Sequence, residues 1–214
     1  MTTLADKLRA GTAPSHRMVE HTAFVRDLLA GRIDRPSYCA LLRNLHTIYA
    51  ALEPALQQHA SHRAVAPLHN AALYRAAPLA EDLVFLHGAR WHDELPALPA
   101  ALAYAHRVHE LARDNPALLV AHAYVRYLGD LSGGQLVRRA VTRSLGLPDA
   151  AGTAFYDFGP PAAVTALAAQ FRRGLVAVAG AVESEADIVD EANDGFRRHE
   201  RLFDELERAR AAPR

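Results

Sequence analysis

Three glycines fall within six residues of one otherwise helical stretch, Tyr124-Val125-Arg126-Tyr127-Leu128-Gly129-Asp130-Leu131-Ser132-Gly133-Gly134-Gln135. Each interior glycine costs a helix roughly 1 kcal/mol relative to alanine. Such a run requires either a kink or a flat object lying close against bare backbone. Asp130, Arg126 and Tyr124 are the polar groups nearest that surface. The segment reads as a ligand platform with a polar rim.

Helical periodicity dominates the rest of the chain, and strand signals are scarce. Asp34 with Pro36 starts a helix whose apolar face runs through Tyr38, Leu41, Leu42, Leu45, Ile48, Tyr49, Leu52 and Leu56. Pro54 predicts a kink or an early end to it. Asn115-Pro116 starts the glycine-bearing helix, which stops near Gly146-Leu147-Pro148. Ser184 followed by Asp187 resembles a capping box, and the helix behind it continues through Phe196, Leu202, Phe203 and Leu206. Shorter helices are expected over 3–11, 15–30, 67–87, 98–113 and 161–178, with a loop over 149–160. No repeat or linker divides the chain, so residues 1–214 read as one all-α domain, a single multi-helix bundle.

The bulk numbers narrow the function classes. A formal net charge of zero argues against a non-specific nucleic-acid binder, although arginines gather near 138–143 and 197–201. The single cysteine, Cys39, excludes an intramolecular disulfide framework and suits a reducing compartment. There is no signal-peptide pattern and no apolar run read as a membrane span, and the C-terminus runs from charged helix into Ala211-Ala212-Pro213-Arg214. A soluble, cytoplasmic protein with no membrane partner is expected.

Of the twelve histidines, His16 stands out because Glu20 follows one turn later on the same helical face. A carboxylate there can take the ring Nδ1–H and leave Nε2 for a metal. The plain alternative is a surface His–Glu pair. Pro14 just before it predicts a kink or a restart. His106 and His109 are one turn apart, but no carboxylate or cysteine pattern completes a zinc site, and no histidine has the Glu-x-x-His spacing of a di-iron bundle. Cys39, on an apolar helix face without a base one turn away, reads as a buried structural thiol. A planar cofactor clamped between His16 and the glycine face, ligated on one side and open on the other, satisfies both oddities. Haem fits that description.

The run Arg126-Tyr127-Leu128-Gly129-Asp130-Leu131-Ser132-Gly133-Gly134-Gln135 closely resembles the distal-helix signature of the haem oxygenase family. Ser15-His16-Arg17-Met18-Val19-Glu20-His21-Thr22-Ala23-Phe24 resembles its proximal helix. Tyr49-Ala50-Ala51-Leu52-Glu53, Phe155-Tyr156-Asp157-Phe158 and the stretch from Phe196 to Leu206 match in order, so the resemblance spans nearly the whole chain.

The resemblance implies a haem oxygenase-like bundle with haem b held between a proximal and a kinked distal helix. It makes His16 the axial iron ligand and Glu20 its supporting partner. Gly129 and Gly133 would let the distal backbone pack over the haem face. Asp130 would organise water beside the oxygen site, with Tyr49 and Arg126 extending that network. Arg9, Tyr124 and Arg172 align with propionate contacts, and Phe196 and His199 with further pocket positions. Two positions depart from the pattern. Ala168 stands where a lysine is common, which bears on haem rotation and so on the meso carbon cut. His199 stands where asparagine is common; it is expected to act as a hydrogen-bond donor whose titration makes proton delivery pH-sensitive. The implied activity is cleavage of haem by O2 to biliverdin, Fe2+ and CO. Without a nucleotide-binding glycine loop, electrons must come from a separate ferredoxin or a flavin or NAD(P)H reductase, with Arg138 and Arg139 as candidate docking residues. The competing readings are a haem carrier or sensor without turnover, for which Asp130 has no purpose, and a thiaminase-like member of the same superfamily, which would need neither His16 nor the glycine face.

Overall fold

A computed structural model describes residues 2–148 and 151–212, and every regular element among them is helical. The chain forms α1 (Leu4–Glu20), α2 (Ala23–Leu29) and α3 (Arg35–Gln58), then α4 (Ala76–Leu86), the single turn α5 (Trp91–Glu94) and α6 (Pro99–Asp114). It continues through α7 (Leu119–Ala123), a π-helical turn over Tyr124–Leu128, α8 (Gly129–Leu145), α9 (Pro161–Ala179) and α10 (Glu185–Ala211). Short 3-10 turns at Ala66–Leu68, Ala71–Leu73, Pro116–Leu118 and Ala154–Tyr156 complete it.

Local chemistry sets the helix starts. Thr3 accepts the Asp6 N–H while the Asp6 carboxylate accepts from the Thr3 backbone, a reciprocal cap that fixes the entry to α1. Asp34 caps α3 through the Ser37 N–H at 3.0 Å. Ser184 caps α10 through the Asp187 N–H at 3.2 Å. Gly146 closes α8 with φ of 59°, a left-handed turn that needs no side chain.

Pro14 lies inside α1 and Pro54 inside α3, and neither ends its helix. The break falls instead at His21–Thr22, so the expected 3–11 and 15–30 become 4–20 and 23–29. Tertiary burial overrides the local penalty: α3 buries Leu52, Ala55 and Leu56 around Pro54, each large apolar side chain contributing about 1.5–3 kcal/mol. The expected helix 67–87 is two 3-10 turns followed by α4.

α3 forms the centre, packed by α4 and α6, while α1 lies along α10, which also touches α6 and α7. The described part of the 149–160 loop, which excludes 149 and 150, is an inward-folded strap. Phe155, Tyr156 and Phe158 are buried, and the buried Asp82 carboxylate accepts the Ala154 and Phe155 N–H groups at 2.7 and 2.8 Å. Burial pushes the Asp82 pKa up to about 6, against those two hydrogen bonds. The C-terminal tail is described as far as Ala212; Pro213 and Arg214 lie outside the described residues. One helix, α9, does reach the length and mean hydropathy (1.2) of a membrane span, contrary to the reading of the sequence. It carries Arg172 and Arg173 at mid-length, and its Gly174 sits so close to the Pro67 backbone that a Cβ there would collide with it.

Candidate functional site

A cleft of about 660 Å³ opens between α1 and the helix pair formed by the π turn and α8. One wall is a stripe of α1 with helical spacing: Ala5, Arg9, Thr12, Ala13, His16 and Glu20. The other is the stripe Tyr124, Val125, Leu128, Gly129, Ser132 and Gly133. Arg172 of α9 and Phe196 of α10 close the ends.

The glycine run divides its labour. A Cβ built on Gly129 or Gly133 meets no atom within 4 Å, so both present bare backbone to open space. Gly134 faces the other way, and a Cβ there would press on the Tyr156 ring at 3.2 Å. The irregularity sits just ahead of the glycines, in the π turn at 124–128, while α8 itself runs regularly through them. An added residue in one turn rotates everything after it by roughly 100° relative to a continuous α-helix. That turn sets which faces of α8 meet the cleft and the core.

His16 stands half-exposed on the α1 wall, its Nδ1 3.3 Å from Glu20 Oε2. With Nδ1 engaged, Nε2 is the ring nitrogen left for a ligand. The edge of the ring meets Phe196 at 5.6 Å and 78°, which restricts its rotation. An identical i,i+4 pairing joins His106 to Glu110 on the surface, so the pair alone marks nothing; the cleft does.

Arg126 and Asp130 lie behind the glycine wall rather than on it. They occupy the next face of the helix, turned toward α3. Asp130 accepts from Arg126 Nη2 at 3.0 Å through Oδ1 and from the Tyr49 hydroxyl through Oδ2. Arg126 Nε donates to the same tyrosine oxygen at 3.1 Å. Burial pushes the Asp130 pKa up, while Arg126, the Tyr49 hydrogen bond and Arg75 pull it back. Burial holds the Tyr49 phenol far above its usual range. The result is a carboxylate with both oxygens held, one residue along from Gly129.

His199 departs from expectation. It is buried and does not line the cleft. Its Nδ1 lies 2.9 Å from the Gly195 carbonyl and its Nε2 lies 2.8 Å from Arg126 Nη1. A carbonyl and a guanidinium leave one solution: Nδ1–H donates to Gly195, and Nε2 accepts from Arg126. His199 is thus an acceptor within the network. Burial, reinforced by Arg126, pushes its pKa well below the usual histidine value, so it stays neutral at physiological pH.

The remaining expected residues divide. Arg9, Tyr124 and Arg172 do reach the cleft, and Ala168 packs against the core one turn before Arg172. Arg138 is turned to Asp157 at 3.7 Å, and Arg139 is exposed; neither lines the cleft. Cys39 is buried, its thiol pushed up to about 11 by that burial, and is no nucleophile.

The donor set fits a flat, dianionic macrocycle with a metal at its centre. One unencumbered imidazole nitrogen faces the cleft, bare backbone lies on the opposite wall, and Arg9, Arg17 and Arg172 stand at the rim. The sequence matches the family model described as Heme oxygenase over residues 2–205. The chain belongs to the haem oxygenase family. It is 38% identical over 204 residues to heme oxygenase 1 of Nostoc sp., covering 95% of this chain and 86% of that protein. It is 40% identical, over the same shares, to the heme oxygenase of Pyropia yezoensis. The crystal structure of heme oxygenase-1 from the cyanobacterium Synechocystis sp. in complex with heme is 36% identical and superposes with a TM-score of 0.88, covering 97% of this chain and 93% of that one. The heme oxygenase of Leptospira interrogans superposes at 0.90 with 30% identity, covering 96% and 100%.

Some cleft residues of this haem oxygenase escape a reading of sequence. Thr12, Ser132 and Val125 are wall residues whose signal was available, since each falls three or four positions from His16 or Gly129. A second layer gave no local signal. Glu191 is held by Arg107 at 2.7 Å and by His122 Nε2 at 3.0 Å, and Tyr104 closes on His122 Nδ1 at 2.9 Å. Those partners are 18 to 84 positions apart.

Proposed function

We propose that the chain is a haem-degrading monooxygenase, and that the cleft between His16 and the Gly129–Gly133 wall is its active site. The observation that carries this reading is one imidazole facing bare backbone, with a buried carboxylate held directly behind that backbone. Haem, when bound, supplies the iron that activates O2 and is itself the molecule cut, to biliverdin, Fe2+ and CO.

The chain's residues supply holding, exclusion and protons. His16 Nε2 takes the iron, and Glu20 fixes the ring through Nδ1. Gly129 and Gly133 would admit the macrocycle against bare backbone. Arg9, Arg172 and Tyr124 hold the two carboxylates. Asp130, with both its oxygens kept in place by Arg126 and Tyr49, would hold or supply a proton through water reaching the cleft when haem is bound. His199 completes that arrangement by accepting the third Arg126 N–H. A separate ferredoxin or flavin reductase delivers the electrons, docking at the arginine-bearing mouth of the cleft, and the protein works in the cytoplasm.

The experiment is a single turnover. Equimolar haem is added, the complex is given reductant and oxygen, and absorption is followed. Loss of the Soret band with growth of a bilin spectrum and release of CO is the expected result. A stable oxygen complex without bilin would make the chain a carrier, and no haem binding would remove the reading altogether.

A further inference from the structure

The inference concerns α1, where the histidine that takes the iron in the reading above sits two residues beyond a proline. Pro14 has no N–H for the Ala10 carbonyl, and its ring crowds that carbonyl, so the backbone ladder is open at this point. The helix nevertheless continues to Glu20. The Thr12 hydroxyl also donates to the Leu8 carbonyl at 2.7 Å, a back-bond that itself favours bending.

The support comes from α10. Asn193 Nδ2 donates to the Gly11 carbonyl at 3.2 Å, and Asn193 Oδ1 accepts from the Ser15 hydroxyl at 2.6 Å. Gly11 and Ser15 are one helical turn apart and bracket Pro14. A single amide thus spans the weakened turn from one side to the other. A third bond, Nδ2 to the Val189 carbonyl on its own helix at 3.0 Å, fixes which way the amide points. Flipping it would set its oxygen against two carbonyls.

The backbones come close enough for so short a side chain only because residue 11 is glycine. A Cβ there would lie 2.6 Å from Val189 Cγ1. One turn further along the same face of α10, Phe196 meets the His16 ring edge-on. One strip of α10 therefore holds the proline-bearing turn of α1 and the ring that follows it.

We propose that Asn193 is a positioning residue: it clamps α1 across Pro14 and so fixes the direction of the His16 imidazole. The proposal rests on His16 as the iron ligand only for its consequence, not for the clamp. A residue of merely structural value would lose the same amount in any background. A clamp for a proline-weakened turn becomes dispensable when the proline is removed, because alanine at 14 regains its N–H.

The test uses the whole chain with Asn193→Ala and Ser15→Ala, each alone and combined with Pro14→Ala. In the haem-free protein, amide hydrogen exchange is measured across residues 11–17 and across α3. Asn193→Ala should speed exchange across 11–17 by about tenfold and leave α3 unchanged. Ser15→Ala, which removes one bond only, should do less, and Pro14→Ala should cancel most of either effect. In the ferrous haem complex prepared without oxygen, Asn193→Ala should broaden and shift the iron–histidine stretching band. Unchanged exchange across 11–17, or an equal loss with and without Pro14, overturns the clamp. Absence of an iron–histidine band in the unmodified protein overturns the ligand assignment separately.

Discussion

Replacing His16 with alanine is expected to abolish turnover of bound haem, by at least roughly 100-fold. Loss of a group that only orients a metal ligand, such as Glu20, costs about 10- to 100-fold, and loss of the ligand itself must exceed it. His16 is half-exposed, and its side chain makes one ion pair and one ring contact, so the fold should be little affected. Added imidazole can then enter the space left on the α1 wall and restore part of the activity. The check is single-turnover bilin yield with and without imidazole, alongside the melting temperature. Full activity in His16→Ala would place the iron ligand elsewhere.

The second large effect belongs to Asp130. Its alanine variant should keep haem affinity, because the carboxylate lies behind the glycine wall and does not line the cleft. Bilin yield should nevertheless fall about 100-fold, the low end of what a positioned proton donor contributes. The change also leaves the Arg126 guanidinium buried against Tyr49 and His199 with its counter-charge gone. Some loss of stability is therefore expected, and Asp130→Asn separates the two effects. It keeps one acceptor oxygen for Arg126, turns an amide N–H toward the Tyr49 oxygen, and cannot exchange a proton as a carboxylate does. Stability partly restored with activity still low is the expected result; normal bilin yield from either variant contradicts the role.

What could be read from sequence was whatever local spacing dictates. Gly129 and Gly133 signal bare backbone because interior glycines are costly in a helix, and the cleft lies where they predict. Glu20 follows His16 by one turn, so their contact is a matter of helical geometry. The direction in which Asp130 faces was not legible. It depends on the π turn at 124–128, which no residue type announces. His199 was misjudged for a related reason. Whether a histidine donates or accepts depends on what surrounds it, and here an arginine 73 positions away imposes the acceptor role. Pro14 and Pro54 show the same limit, since packing against distant helices carries α1 and α3 through residues that would end isolated helices. The third glycine, Gly134, marks the Tyr156 contact rather than the cleft, a distinction only the folded loop provides.

The central claim is that haem lies against the bare backbone of Gly129 and Gly133, and haem titration of Gly133→Leu tests it most directly. A Cβ at 133 meets no protein atom within 4 Å, so the haem-free protein should gain helix stability, by about 0.5–1 kcal/mol. A ligand lying on that backbone would meet the new side chain. The account predicts a melting temperature equal to or above that of the unmodified protein, together with haem affinity weakened on the order of 10- to 100-fold, the cost of overpacking a filled site. Unchanged affinity in a well-folded Gly133→Leu protein would contradict it.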